Sequence, residues 1–192
     1  MPSDRPAAWA LLTEFTLSQP LRRHALAVEA TMRHLARTSG VGDAADVERW
    51  GIVGMLHDFD YERFPTEADH PQRGMEIMTE RGWPAEIVRA IGGHAFHTGI
   101  DRRTPMEKAI LAADELTGFV GACCHVREGG IATLEVKSVT KKLKDKGFAA
   151  KVERAEVLRG AELLGVELAA HAQFVIDALR PHAAELGLGP RA

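Results

Sequence analysis

Cysteine is nearly missing from these 192 residues: only Cys123 and Cys124 occur, side by side. Two adjacent thiols build no disulfide framework. Their spacing also misses the two-residue gap of zinc-binding pairs, so Cys123-Cys124-His125 reads as buried thiols on a core helix. Long apolar runs are absent as well, none approaching the roughly 20 residues that span a bilayer. Charge of one sign is not in large excess: a net charge of −3 gives no general attraction to nucleic acid or anionic membrane. One basic cluster stands out, Lys137, Lys141, Lys142, Lys144 and Lys146. It is short and lacks interleaved aromatics, which argues against a nucleic acid polymer as partner. It reads as a solvated helix face, the alternative being a positive rim for an anionic substrate. No repeat, low-complexity tract or long linker breaks the chain. The N-terminal MPSDRPAAWALL carries an early acidic residue and no small-residue cleavage pattern before Glu14, so a cytoplasmic protein with reduced thiols is expected.

What is present is ordinary for a globular protein, 45% hydrophobic and 27% charged residues. The length suits a single domain over 1–192 with a core that needs no cross-links. Strand-like alternation is scarce, and Gly, Pro and short polar turns punctuate helical periodicity, so the fold class is all-α. Helices are expected from Ala7 to Leu17, from Leu21 to Arg37, and from Ala44 or Asp46 to His57. After a loop from Asp58 to Asp69, Pro71 opens a helix ending at Gly82, and Pro84 opens another reaching Phe96. Thr104-Pro105-Met106-Glu107 combines a capping Thr, a Pro at the first helical position and a Glu three residues after the cap. That helix should run to about Val126. Gly129-Gly130 breaks the chain, Ile131 to Val136 is ambiguous, and helices over Ala149–Leu164 and Val166–Leu186 complete the chain.

Nine histidines are the unusual feature, and their positions carry the argument. His57-Asp58 closes the apolar segment Trp50 to Leu56, where helical spacing turns His57 inward. An imidazole beside a carboxylate inside a protein suits a metal site. His24 shares a face with Val28, Thr31 and Leu35, and His94 shares one with Ile87 and Ile91. Asp114 sits mid-helix on a face with Ile110, Leu111, Thr117, Gly118 and Gly121. A carboxylate there is costly unless a cation or several donors compensate it. His70, before Pro71, stands at a helix start. His97 reads as a pocket-lining or helix-end residue, and His34, His125, His171 and His182 as ordinary histidines.

The order His24, His57-Asp58, Asp114 resembles the H…HD…D signature of the HD superfamily of metal-dependent phosphohydrolases. His70-Pro71-Gln72-Arg73-Gly74 resembles the His-x-x-x-Gly step of its two-metal branch. Ala90-Ile91-Gly92-Gly93-His94 resembles the Ala-Ile-x-x-His step, and Ala112-Ala113-Asp114-Glu115 the step around the final Asp. The likeness covers about Leu21 to Val120. It implies an all-helical domain with a metal-binding core over 20–125. The C-terminal helices over 147–188 lie outside the likeness and are expected to pack on the core, with capping of the pocket or a homodimer surface as the alternatives. The resemblance also implies one or two divalent transition-metal ions (Fe, Mn, Zn, Co or Ni) held by His24, His57, Asp58, His70, His94 and Asp114. Asp58 would bridge the metals, with His24, His57 and Asp114 on one and His70 and His94 on the other. The implied reaction is hydrolysis of a small phosphorylated, nucleotide-like substrate by metal-activated water. The chain departs from many members in having no lysine after the pair, reading His57-Asp58-Phe59-Asp60-Tyr61-Glu62-Arg63. Phosphate contact then falls to Arg63, Arg102, Arg103 or the lysine cluster. Asp58, Asp60 and Arg63 are the expected catalytic residues; Asp60 and Glu62 read as supports behind the metal ligands or as proton carriers, a solvated acidic loop being the equal alternative. Two other classes remain open, a diiron oxygenase on the same helices and a non-catalytic metal or nucleotide sensor.

Overall fold

In the computed structural model, which describes residues 2–190, every regular element is helical and no strand occurs among those residues. The all-α expectation therefore holds. No described helix is long and apolar enough to cross a membrane. Two compact units divide the chain, one up to Leu111 and one from Ala112 on. The line falls inside a helix and within the 20–125 stretch expected as one metal-binding core.

The first unit contains α1 (Arg5–Phe15), α2 (Gln19–Thr38), α3 (Ala44–Leu56), α4 (Gln72–Glu80) and α5 (Ala85–Gly92). A short 3-10 turn, Phe96–Thr98, leads to the first residues of α6 (Pro105–His125). Its buried core includes Leu12, Val28, Met32, Ile52, Met55, Leu56, Phe59, Met78, Ile87 and Ile91. Helix starts follow local chemistry. Asp43 and Asp46 form a capping box on α3, satisfying amide groups that have no partner within the helix. At α6 the Thr104–Glu107 signature operates as expected: Glu107 N donates to Thr104 Oγ1 at 3.2 Å, and Thr104 N donates to Glu107 Oε2 at 3.0 Å. Glu107 also accepts from Arg103 N at 2.6 Å and Arg89 Nε at 2.9 Å. Burial works against its charge, but these two amides and the Arg89 guanidinium hold its carboxyl below the usual range.

Helix ends differ from expectation where glycine or proline intervenes. α5 stops at Gly92, four residues short of Phe96, because Gly92-Gly93 disfavours helix and begins a turn. His94 therefore stands on a turn and not on a helix face.

The second unit holds the rest of α6, a 3-10 turn Gly130–Thr133, α7 (Val136–Leu143), α8 (Arg154–Leu164), α9 (Leu168–Leu179) and the four-residue α10 (Ala183–Leu186). The ambiguous Ile131–Val136 stretch resolves into the 3-10 turn and the start of α7. That helix buries Val139 and leaves Lys137 and Lys141 exposed. The helix expected from Ala149 starts only at Arg154. Ala149 has φ +44°, outside helical space, and the Arg154 guanidinium donates to the carbonyls of Ala149, Val152 and Phe148, holding an irregular turn in place. Pro181 interrupts the last expected helix with a 3-10 turn. Cys123 and Cys124 are buried, and burial pushes their thiols up to about 11 and about 12, which leaves them protonated and inert.

Candidate metal centre

α2 and α3 make the most extensive helix–helix contact in the chain. Gly54 permits it: a Cβ there would lie 2.7 Å from Val28 O and 2.9 Å from Glu29 N and Cα. The close crossing brings a residue near the start of α2 against the end of α3. His24 Nε2 lies 3.2 Å from His57 Nε2. His57 caps α3, is fully buried, and directs its Nδ1 to Gly54 O at 2.8 Å. A carbonyl oxygen can only accept, so Nδ1 carries the proton and Nε2 is left with its lone pair.

The turn after α5 repeats the device. His94 Nδ1 donates to Ile91 O at 2.6 Å, leaving Nε2 to face His70 Nε2 at 3.1 Å. Arg102 braces this turn, donating to Gly93 O and Ala95 O at 2.7 Å each while lying over the Phe96 ring. His70 directs Nδ1 to Asp60 Oδ1 at 2.8 Å. Asp58 stands among the four imidazoles and is the most open carboxylate there, with its side chain 25% exposed. Its Oδ2 lies 3.4 Å from His57 Nε2, and its Oδ1 lies 3.1 Å from His70 Nε2 and 3.3 Å from His94 Nε2. Two ligand groups result, His24–His57–Asp58 and Asp58–His70–His94, each offering atoms within 4.8 Å of one another.

Nitrogen lone pairs turned toward each other at 3.1–3.2 Å repel unless a proton or a cation sits between them. Three of the four histidines have their Nδ1 proton fixed by an acceptor outside the cluster. Mixed imidazole and carboxylate donors suit a divalent transition metal. In the metal-free protein protons do this work. Burial opposes ionisation of Asp58, but His57, through charge and hydrogen bond, and then His70 and His94 hold its carboxyl well below the usual range. Burial also opposes charge on His70, yet Asp58 and Asp60 raise it to about 9.

The loop after the His-Asp pair is tied down residue by residue. Phe59 is fully buried, edge-on to Phe15. Asp60 is also fully buried, and its Oδ2 accepts from Gly74 N at 2.8 Å. With both oxygens engaged and no exposure to solvent, Asp60 holds His70 in place. The Tyr61 ring stands edge-on to His70. Glu62 accepts from Leu17 N and Ser18 N at 2.8 and 2.9 Å, ahead of α2, and so joins two elements. Arg63 donates to Glu14 O at the end of α1 and lies 4.1 Å above the Phe15 ring. The Arg63 guanidinium is thereby held by α1.

Arg103 pairs with Asp101 at the surface. His97 donates from Nε2 to His70 O at 2.9 Å. Asp114 lies on α6 in the second unit and is partly exposed. His171, read as ordinary, is buried and donates to Ala112 O at 2.9 Å. The parts that sequence reasoning missed are the Asp60–Gly74 contact behind His70, the His97 bond to its carbonyl, and the Arg102 brace. The Gly four residues after His70 was the only visible signal for any of them.

A family model described as HD domain matches residues 21–118, a stretch of about half the chain that contains all six expected ligands. No curated protein and no solved structure matches the chain.

Proposed function

Since the chain belongs to the HD-domain family, we propose that it is a metal-dependent phosphohydrolase acting on an ester or anhydride of a small, nucleotide-like phosphate. The convergence of four imidazole Nε2 atoms on the two oxygens of Asp58 carries this reading. His24, His57 and Asp58 would hold one cation, and Asp58, His70 and His94 a second. A bound Fe, Mn, Zn, Co or Ni ion supplies Lewis acidity, making a coordinated water acidic near neutral pH and offsetting phosphoryl charge. The residues of this chain keep the site in order: Gly54 O, Asp60 and Ile91 O hold the Nδ1 protons of His57, His70 and His94, so the Nε2 of each is turned to a ligand-seeking ion. Asp58 is the more open of the two carboxylates, with its side chain 25% exposed.

Elemental analysis of untagged protein, with assays on bis(p-nitrophenyl) phosphate, p-nitrophenyl phosphate and a nucleotide panel, tests the proposal. One or two ions per chain and phosphate release, both lost in Asp58→Ala, are expected. Retained iron with dioxygen uptake and no phosphate release would establish an oxygenase instead. A chain that neither retains nor rebinds metal would end the metal reading altogether.

A further inference from the structure

Three Nδ1 protons are held in this cluster, but not by equivalent partners. His57 and His94 lean on backbone carbonyls of the turn just before them, Gly54 O and Ile91 O. Any residue could supply those carbonyls. His70 leans on a side chain, the Asp60 carboxylate, ten residues earlier in the chain. Asp60 has no exposure, and its two oxygens are shared between His70 Nδ1 and Gly74 N, each at 2.8 Å. Gly74 is indispensable to that approach, since a Cβ there would lie 2.8 Å from Asp60 Cγ and 3.0 Å from the Phe59 ring. His97, donating to the His70 carbonyl, fastens the same residue from its backbone side.

We propose that Asp60 is the positioning residue of the Asp58–His70–His94 metal position and that Gly74 is what admits its carboxylate. The inference rests on the metal reading above and extends it. A carboxylate behind an imidazole fixes the ring and makes its free nitrogen a better donor than a carbonyl does. The two metal positions are therefore inequivalent: one depends on Asp60, and the His24–His57 position does not.

The test is calorimetric titration of the metal-free full chain with Zn2+ and with Mn2+. Wild type is compared with Asp60→Asn and Gly74→Ala, and His70→Ala and His24→Ala identify which binding event belongs to which position. Asp60→Asn keeps the volume but can accept from only one of the two donors and carries no charge. It should weaken the event removed by His70→Ala by about 10–100-fold, with the event removed by His24→Ala unchanged. Gly74→Ala, which leaves every ligand and the carboxylate in the chain, should weaken the same event, and it decides the matter if Asp60→Asn does not fold. Two events of unchanged affinity would overturn the proposal. An equal weakening of both events would also overturn it, since it would mean general support of the fold. Wild-type protein that takes up no metal would overturn the proposed function itself.

Discussion

A neutral imidazole has one proton for two nitrogens, and the partner of one nitrogen decides what the other can bind. In His70 the partner is Asp60, and without metal the free nitrogen faces the Asp58 carboxylate. That pairing raises His70 to about 9 against an ordinary value of 6.5. A raised value means that the native state holds the proton more tightly than the unfolded chain does. The stabilisation is complete below pH 6.5 and disappears as pH rises through about 9. Metal-free protein should therefore melt at a lower temperature at pH 9.5 than at pH 6.5, a difference that shrinks in His70→Gln. Metal binding has the opposite sign. The cation must displace that proton, so affinity should climb by up to about tenfold per pH unit until pH passes about 9. Melts with and without EDTA across this range, beside titrations at each pH, would show both trends. Rising metal-free stability between pH 6.5 and 9 would exclude a charged His70.

Among the helices, the α2–α3 crossing does most for the site. Ala is a better helix former than Gly by about 1 kcal/mol, so Gly54→Ala would stabilise an isolated α3. Here the new Cβ meets the backbone of α2 at 2.7–2.9 Å, and a packed backbone cannot give way as a side chain tip can. Overpacking of this kind costs typically about 1–3 kcal/mol, and after the propensity gain the net expectation is a loss of up to about 2 kcal/mol in urea denaturation. His24 and His57 would also separate, so metal at their position should weaken. Gly82→Ala is the matched control. Its φ of +75° makes Ala strained, but nothing lies within 4 Å of the new Cβ. Stability should fall there with metal affinity intact. If Gly54→Ala spares both stability and metal, the crossing is looser than its geometry requires.

For the molecule as a whole, the proposed function makes metal a ligand of the native state alone, because the unfolded chain does not gather His24, His57, Asp58, His70 and His94. At a free metal concentration of about 100 times Kd, each occupied position should add about 2.7 kcal/mol of stability. The melting temperature of wild type should then rise with added Mn2+ or Zn2+, and that of Asp58→Ala should not. An equal rise in both would place the metal elsewhere.

The sequence alone determined the all-α class, because 3.6-residue periodicity and Gly and Pro punctuation are local properties. It determined the α6 cap, since Thr104 and Glu107 are three residues apart and find each other within one helical turn. The metal-capable side chains were legible too, because a histidine on an apolar face needs a reason to be there, and the family order supplied one. Tertiary structure decided their partners. That Asp60 meets His70 depends on a contact across ten residues and on a Gly74 that makes room for it. That Arg63 meets α1 depends on where Phe15 packs. Local pattern specifies which face of a helix a residue occupies; the orientation of a ring or a guanidinium is set by neighbours distant in the chain, brought together only when the helices pack.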